Sequence, residues 1–188
     1  MIADSSGRNA ITTNGGAVKV SARDAMSASG EFSSNEIATG SGNVSVSGET
    51  KAMFADSSGR NIITTGSGAV KVTGDEAMLA SGHGAKNEIV ADSGDVGVSG
   101  KTKGMFAEDS GSNTITTNAG VSVSSDTTAM SAESFGSNTI TANAGLRVSG
   151  RDKGLFAGAD GSNTITSKDG GVTVTGSVYG VWHGCPVG

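Results

Sequence analysis

Apolar residues in this chain recur in register over a long period. An asparagine is followed two residues later by isoleucine seven times, at Asn9/Ile11, Asn35/Ile37, Asn61/Ile63, Asn87/Ile89, Asn113/Ile115, Asn138/Ile140 and Asn163/Ile165, spaced 26, 26, 26, 26, 25 and 25 residues apart. Beyond each isoleucine comes an alternating aliphatic pair: Val18/Val20, Val44/Val46, Val70/Val72, Val96/Val98, Val121/Val123, Leu146/Val148 and Val172/Val174. A third segment opens each unit with Met or Leu and then Ala, from Met1/Ala3 to Leu155/Ala157. All three runs alternate with period two, are rich in Val, Ile and Thr, and are separated by Gly, Asn, Asp and Ser, so each unit predicts three short strands. Helix is excluded by frequent glycine and by the lack of an apolar stripe at 3.6-residue spacing. A longer period lies on top: Met1 to Asn9 nearly repeats as Met53 to Asn61, so the first four units read as a duplicated 52-residue pair.

One unit holds too few aliphatic side chains to offset the entropy of ordering its backbone, so it cannot fold alone. Stacking resolves this, each strand pairing in parallel with its copies about 4.8 Å above and below. The expected fold is all-β: a parallel β-solenoid with three strands per coil and seven coils of 25–26 residues, forming a rod roughly 30–35 Å long. Alternation turns Asn and Ile inward, so Asn9, Asn35, Asn61, Asn87, Asn113, Asn138 and Asn163 form an internal amide ladder. The aliphatic pair also points inward, leaving Lys19, Ser45, Lys71, Gly97, Ser122, Arg147 and Thr173 outside. In the Met segment the residue between Met and Ala faces out. This gives a stripe of Phe54, Leu79, Phe106, Phe156 and Trp182, interrupted by Ser27 and Ser131, which reads either as an exposed contact surface or as rings covered by local twist.

Composition then narrows the possible functions. Gly, Ser and Thr supply 78 of 188 residues and aromatics only 4%, so a conventional globular core is not expected. A net charge of -5 with scattered cations leaves no basic patch for nucleic acid. No run is apolar enough to insert in a membrane, and no export signal opens the chain. The single Cys185 excludes an internal disulfide framework.

Segments such as Gly111-Ser112-Asn113-Thr114-Ile115-Thr116-Thr117, recurring as Gly136-Ser137-Asn138-Thr139-Ile140-Thr141-Ala142, resemble the repeat region of bacterial autotransporter passenger domains and haemagglutinin-like adhesins. The resemblance covers residues 1–182, with 183–188 as a tail. It implies a right-handed parallel β-helix, exported and displayed on the bacterial outer surface as a non-catalytic adhesin or stalk, whose partner is a host surface protein or glycan. Without a signal or a translocator barrel, the chain reads as a fragment of such a protein.

Other chemistry is weaker. Polysaccharide-cutting solenoids need loops long enough to wall a cleft, and the invariant spacing leaves none. His83 and His183 have no nucleophile partner, and Asp4, Asp56, Asp109 and Asp160 fit turns better than a calcium site. No enzyme activity, metal or cofactor is therefore expected. Self-association into filaments is the second function class. A third is ice binding through Thr114/Thr116, Thr139/Thr141 and Thr164/Thr166, against which Glu36 and Glu88 interrupt the face.

Overall fold

The computed structural model describes residues 1–183. It contains eighteen strands and no helix, so no helix is long and apolar enough to cross a membrane. A seven-stranded parallel sheet holds β2 (Arg8–Thr13), β4 (Ser34–Thr39), β6 (Arg60–Thr65), β8 (Lys86–Ala91), β10 (Ser112–Thr117), β13 (Ser137–Ala142) and β16 (Ser162–Ser167). The remaining eleven form a second parallel sheet. They are β1 (Ile2–Ala3), β3 (Val18–Ala28), β5 (Val44–Ala55), β7 (Val70–Ala80), β9 (Val96–Ala107), β11 (Val121–Ser125), β12 (Thr128–Ala132), β14 (Leu146–Gly150), β15 (Lys153–Ala157), β17 (Val172–Thr175) and β18 (Tyr179–His183).

Register follows the sequence markers. Asn9 stacks on Asn35 and Ile11 on Ile37; the same columns run unbroken to Asn163 and Ile165. Ile37, Ile63, Ile89, Ile115 and Ile140, the Val pairs, and Met26, Met53, Met78, Met105, Met130 and Leu155 make one continuous core file. The chain is thus a parallel β-solenoid of seven coils, with β18 starting an eighth. That last strand runs one residue past the expected end of the array, and 184–188 lie outside the described residues.

The three-strand coil holds only from β11 onward. In the first four coils the Val and Met segments fuse into single strands of eleven or twelve residues that turn the corner through register shifts between Ala22/Asp24, Ser47/Lys51 and Gly74/Glu76. The cause is spacing. Val to Met is eight residues at Val18/Met26 and Val70/Met78 but nine at Val44/Met53 and Val96/Met105, so neighbouring coils differ by one residue and a bulge absorbs the difference.

The compensating residue appears in the next turn. Met26 to Asn35 and Met78 to Asn87 span nine residues, whereas Met53 to Asn61 spans eight. The longer turns open on Gly30 and Gly82. Gly82 has φ +87°, and a Cβ there would stand 2.5 Å from the Ser58 backbone nitrogen, so both dihedral and space demand glycine. Coils therefore alternate in shape as well as in sequence, which is the structural content of the 52-residue duplication.

Candidate functional site

The amide ladder is fully engaged. Asn9, Asn35, Asn61, Asn87, Asn113 and Asn138 each donate Nδ2–H to Oδ1 of the next asparagine at 2.8–2.9 Å. Each Nδ2, with that of Asn163, also donates at 2.6–2.8 Å to a carbonyl on the Met segment, at Ser27, Phe54, Leu79, Phe106, Ser131, Phe156 and Trp182. From Asn9 to Asn138 one amide proton links successive coils and the other ties the seven-stranded sheet to the Met segment, so this ladder is structural and its side chains have no donor left for a ligand.

Those carbonyls belong to the stripe. Phe54, Leu79, Phe106, Phe156 and Trp182 form one column with Ser27 and Ser131, and none joins the core file, as alternation requires. Their exposure differs from that of a bare apolar patch. Leu79 and Phe106 are only 7% and 6% exposed, and Phe54, Phe156 and Trp182 are half-buried. Lysine covers the three phenylalanines: the Nζ atoms of Lys51, Lys103 and Lys153 lie 3.8 Å from the ring centroids of Phe54, Phe106 and Phe156. Phe156 stacks on Trp182 at 4.6 Å with the planes 4° apart, and Tyr179 lies tilted beside Trp182. A lysine three residues before each phenylalanine was the available sequence signal for this cover.

A charge column runs beside the stripe. Register places Asp24, Lys51, Glu76, Lys103, Thr128 and Lys153 in successive coils, so acid and base alternate over the first four, and Lys103 Nζ lies 3.4 Å from Glu76. Beyond Phe106 stands Glu108. Burial pushes its carboxyl above the ordinary carboxylate range; Lys103 opposes that shift, while Glu133, Asp109 and Asp56 add to it by repulsion.

The outer face of the seven-stranded sheet divides in two. Over β10, β13 and β16 it presents a three-by-three array of hydroxyls from Ser112, Thr114, Thr116, Ser137, Thr139, Thr141, Ser162, Thr164 and Thr166, none of which makes a side-chain hydrogen bond among the described residues. Over the earlier coils charge replaces hydroxyl: Arg8 pairs with Glu36, and Lys86 with Glu88 at 3.1 Å. The opposite sheet carries a shallow hollow of about 470 Å³ over Gly97, flanked by Lys71 and Ser122, where glycine interrupts the outward row.

A second hollow, of about 610 Å³, lies at the edge of the charged half, lined by Phe32, Ser34, Glu36, Ser58, Arg60, His83 and Gly84. It is built on the turns that lead into the Asn strands. Three residues before each ladder asparagine the backbone is left-handed in all seven coils: Ser6, Phe32, Ser58, Gly84, Ser110, Phe135 and Asp160 have φ between 55° and 72°. Small and polar residues tolerate that region, whereas phenylalanine rarely occupies it. Sequence reasoning missed this column because its residues share a dihedral angle and no chemistry.

Among the described residues no group of three His, Cys, Asp or Glu side chains is placed to hold a metal ion. Comparison with protein-family models, with curated proteins and with solved structures returns no match.

Proposed function

We propose that this chain is a non-catalytic display segment, an adhesin or stalk of an exported bacterial protein, whose function lies in its length and its side faces. The observation that carries this reading is the unbroken register of seven coils without any inserted loop. Each coil adds a fixed rise of about 4.8 Å, and the outer rows of both sheets are dominated by hydroxyl, lysine, arginine and carboxylate groups. Such a rod is stiff, because every coil is bonded across its whole width to two neighbours, and it presents long, solvated faces to a partner. Host surface proteins and glycans are the partner classes that fit. Surface-immobilised chain is expected to capture host cells or their glycans, and scattering from dilute solution is expected to show a monomeric rod. A chain that binds neither cells nor glycans when presented at high density overturns the adhesin reading.

A further inference from the structure

We propose that the hollow between Phe32, Arg60 and His83 is a binding site for a carboxylate-bearing sugar. This deepens the adhesin reading and rests on it. Phe32 sits in a left-handed turn at φ 57° and is 77% exposed, so it gains almost nothing from burial while holding a conformation that bulky side chains avoid. Its backbone is held there by the coil above, where Ser57 C=O accepts the Phe32 N–H at 3.0 Å. Relief would come from the residues that occupy the same column elsewhere, such as Ser6 and Ser58. A ring kept exposed at the expense of strain is available as a flat stacking surface.

Next to it stands a free cation. In the row Arg8, Ser34, Arg60 and Lys86, the first and last are neutralised by Glu36 and Glu88, whereas Arg60 makes no ion pair among the described residues. Arg60 is thus the cation of this row left without a carboxylate partner, and its fork suits a planar carboxylate. His83, exposed one coil beyond Arg60, lines the hollow opposite Phe32, with Ser58 and Gly84 between them; the walls stand two coils, roughly 10 Å, apart. The hollow is also lined by Ser34 and by Glu36, whose carboxylate is already engaged by Arg8; ring wall, cation, hydroxyls and imidazole around an open floor fit the apolar face, carboxylate and hydroxyls of an acidic pyranose. An acidic peptide is less suited, since the hollow is wide and lacks a closed apolar pocket for an anchor side chain.

Phe135 supplies an internal control. It has the same left-handed turn and is 60% exposed, but the Arg60 row near it is Ser112, Ser137 and Ser162, with no cation. The test is titration of the full chain with N-acetylneuraminic acid and with its methyl ester, followed by NMR. The acid is expected to bind in the millimolar range and the ester at least tenfold more weakly. Arg60→Gln and Phe32→Ser should each weaken the acid tenfold or more, while Phe135→Ser and Arg147→Gln leave it unchanged. Phe32→Ser should also raise the melting temperature, because it relieves strain and buries nothing less. The proposal is overturned if the acid does not bind, if ester and acid bind alike, if Phe135→Ser weakens binding as much as Phe32→Ser, or if a short acidic peptide binds more tightly than the sugar. Capture of host cells that persists in Arg60→Gln would likewise discard this site while leaving the adhesin reading intact.

Discussion

Single residues carry two opposite kinds of cost in this rod. Ile89 is completely buried between Ile63 and Ile115, so Ile89→Asp places an unpaired charge where neither water nor a cation reaches it. The expected loss is several kcal/mol, enough to abolish the cooperative melting transition because coils above and below depend on this one. Glu108 shows the milder case. Its raised folded-state value means that the native chain holds the proton more tightly than the unfolded chain does. That contribution is complete below the unfolded carboxyl value, roughly pH 4.3, and is lost as pH rises through the folded value. At pH 7 the ionised carboxylate therefore detracts from stability. Glu108→Gln is expected to raise the melting temperature slightly at pH 7 and to leave it unchanged at pH 3. A gain larger at pH 3 than at pH 7 would contradict the assigned cause.

Strands and columns are where sequence and structure meet most closely and also part. The stripe shows both. Alternation turns Phe106 outward, and it stays out of the central file; yet lysine and the adjoining coils bury it instead of leaving it exposed, so its substitution should behave unlike that of a surface ring. Phe106→Ser is expected to cost about 2 kcal/mol in urea denaturation, more than Phe54→Ser, because Phe54 keeps more of its contact with water. Equal and negligible costs would mean that the rings are free. The Asn-x-Ile and Val-x-Val strands, the ladder and the inward Met were legible because each obeys a constraint repeated in every coil, and a repeated constraint stands out from neutral variation. The fused strands were not legible, since a bulge depends on the difference between one coil and the next rather than on any residue within it. The hollow beside Phe32 escaped for a related reason: Phe32, Arg60 and His83 belong to three successive coils, and what brings them together is a turn whose left-handed position is filled by Phe32, Ser58 and Gly84, residues with no chemistry in common. Ladder polarity, from Nδ2 of one coil to Oδ1 of the next, was equally invisible, although the existence of the ladder was plain.

At the scale of the whole molecule the repeating object is a pair of coils. Lys51 and Lys103 sit in coils of one kind and Glu76 between them in the other, while the corner and turn lengths alternate in step. If stability came only from stacking similar coils, any coil could be removed at the same penalty. The pairwise arrangement says otherwise. Deleting residues 61–86 joins Arg60 to Asn87 and removes Glu76, which brings Lys51 and Lys103 into adjacent positions about 4.8 Å apart along the column. In the full rod, Lys103→Glu opposes Glu76, loses the 3.4 Å ion pair and uncovers Phe106, for an expected cost of about 1–2 kcal/mol. In the shortened rod the same substitution faces Lys51, so an attractive neighbour replaces a repulsive one and the cost should vanish or reverse. The difference between the two backgrounds, measured by chemical denaturation as a coupling free energy, is expected to be about 1 kcal/mol and to shrink in high salt, because these groups are partly exposed. Lys103→Glu costing the same in both rods would show that the alternation of charge is incidental and that the coils are interchangeable. A salt-sensitive difference of the stated sign would instead establish the 52-residue pair as the unit that sets which coil can stack on which.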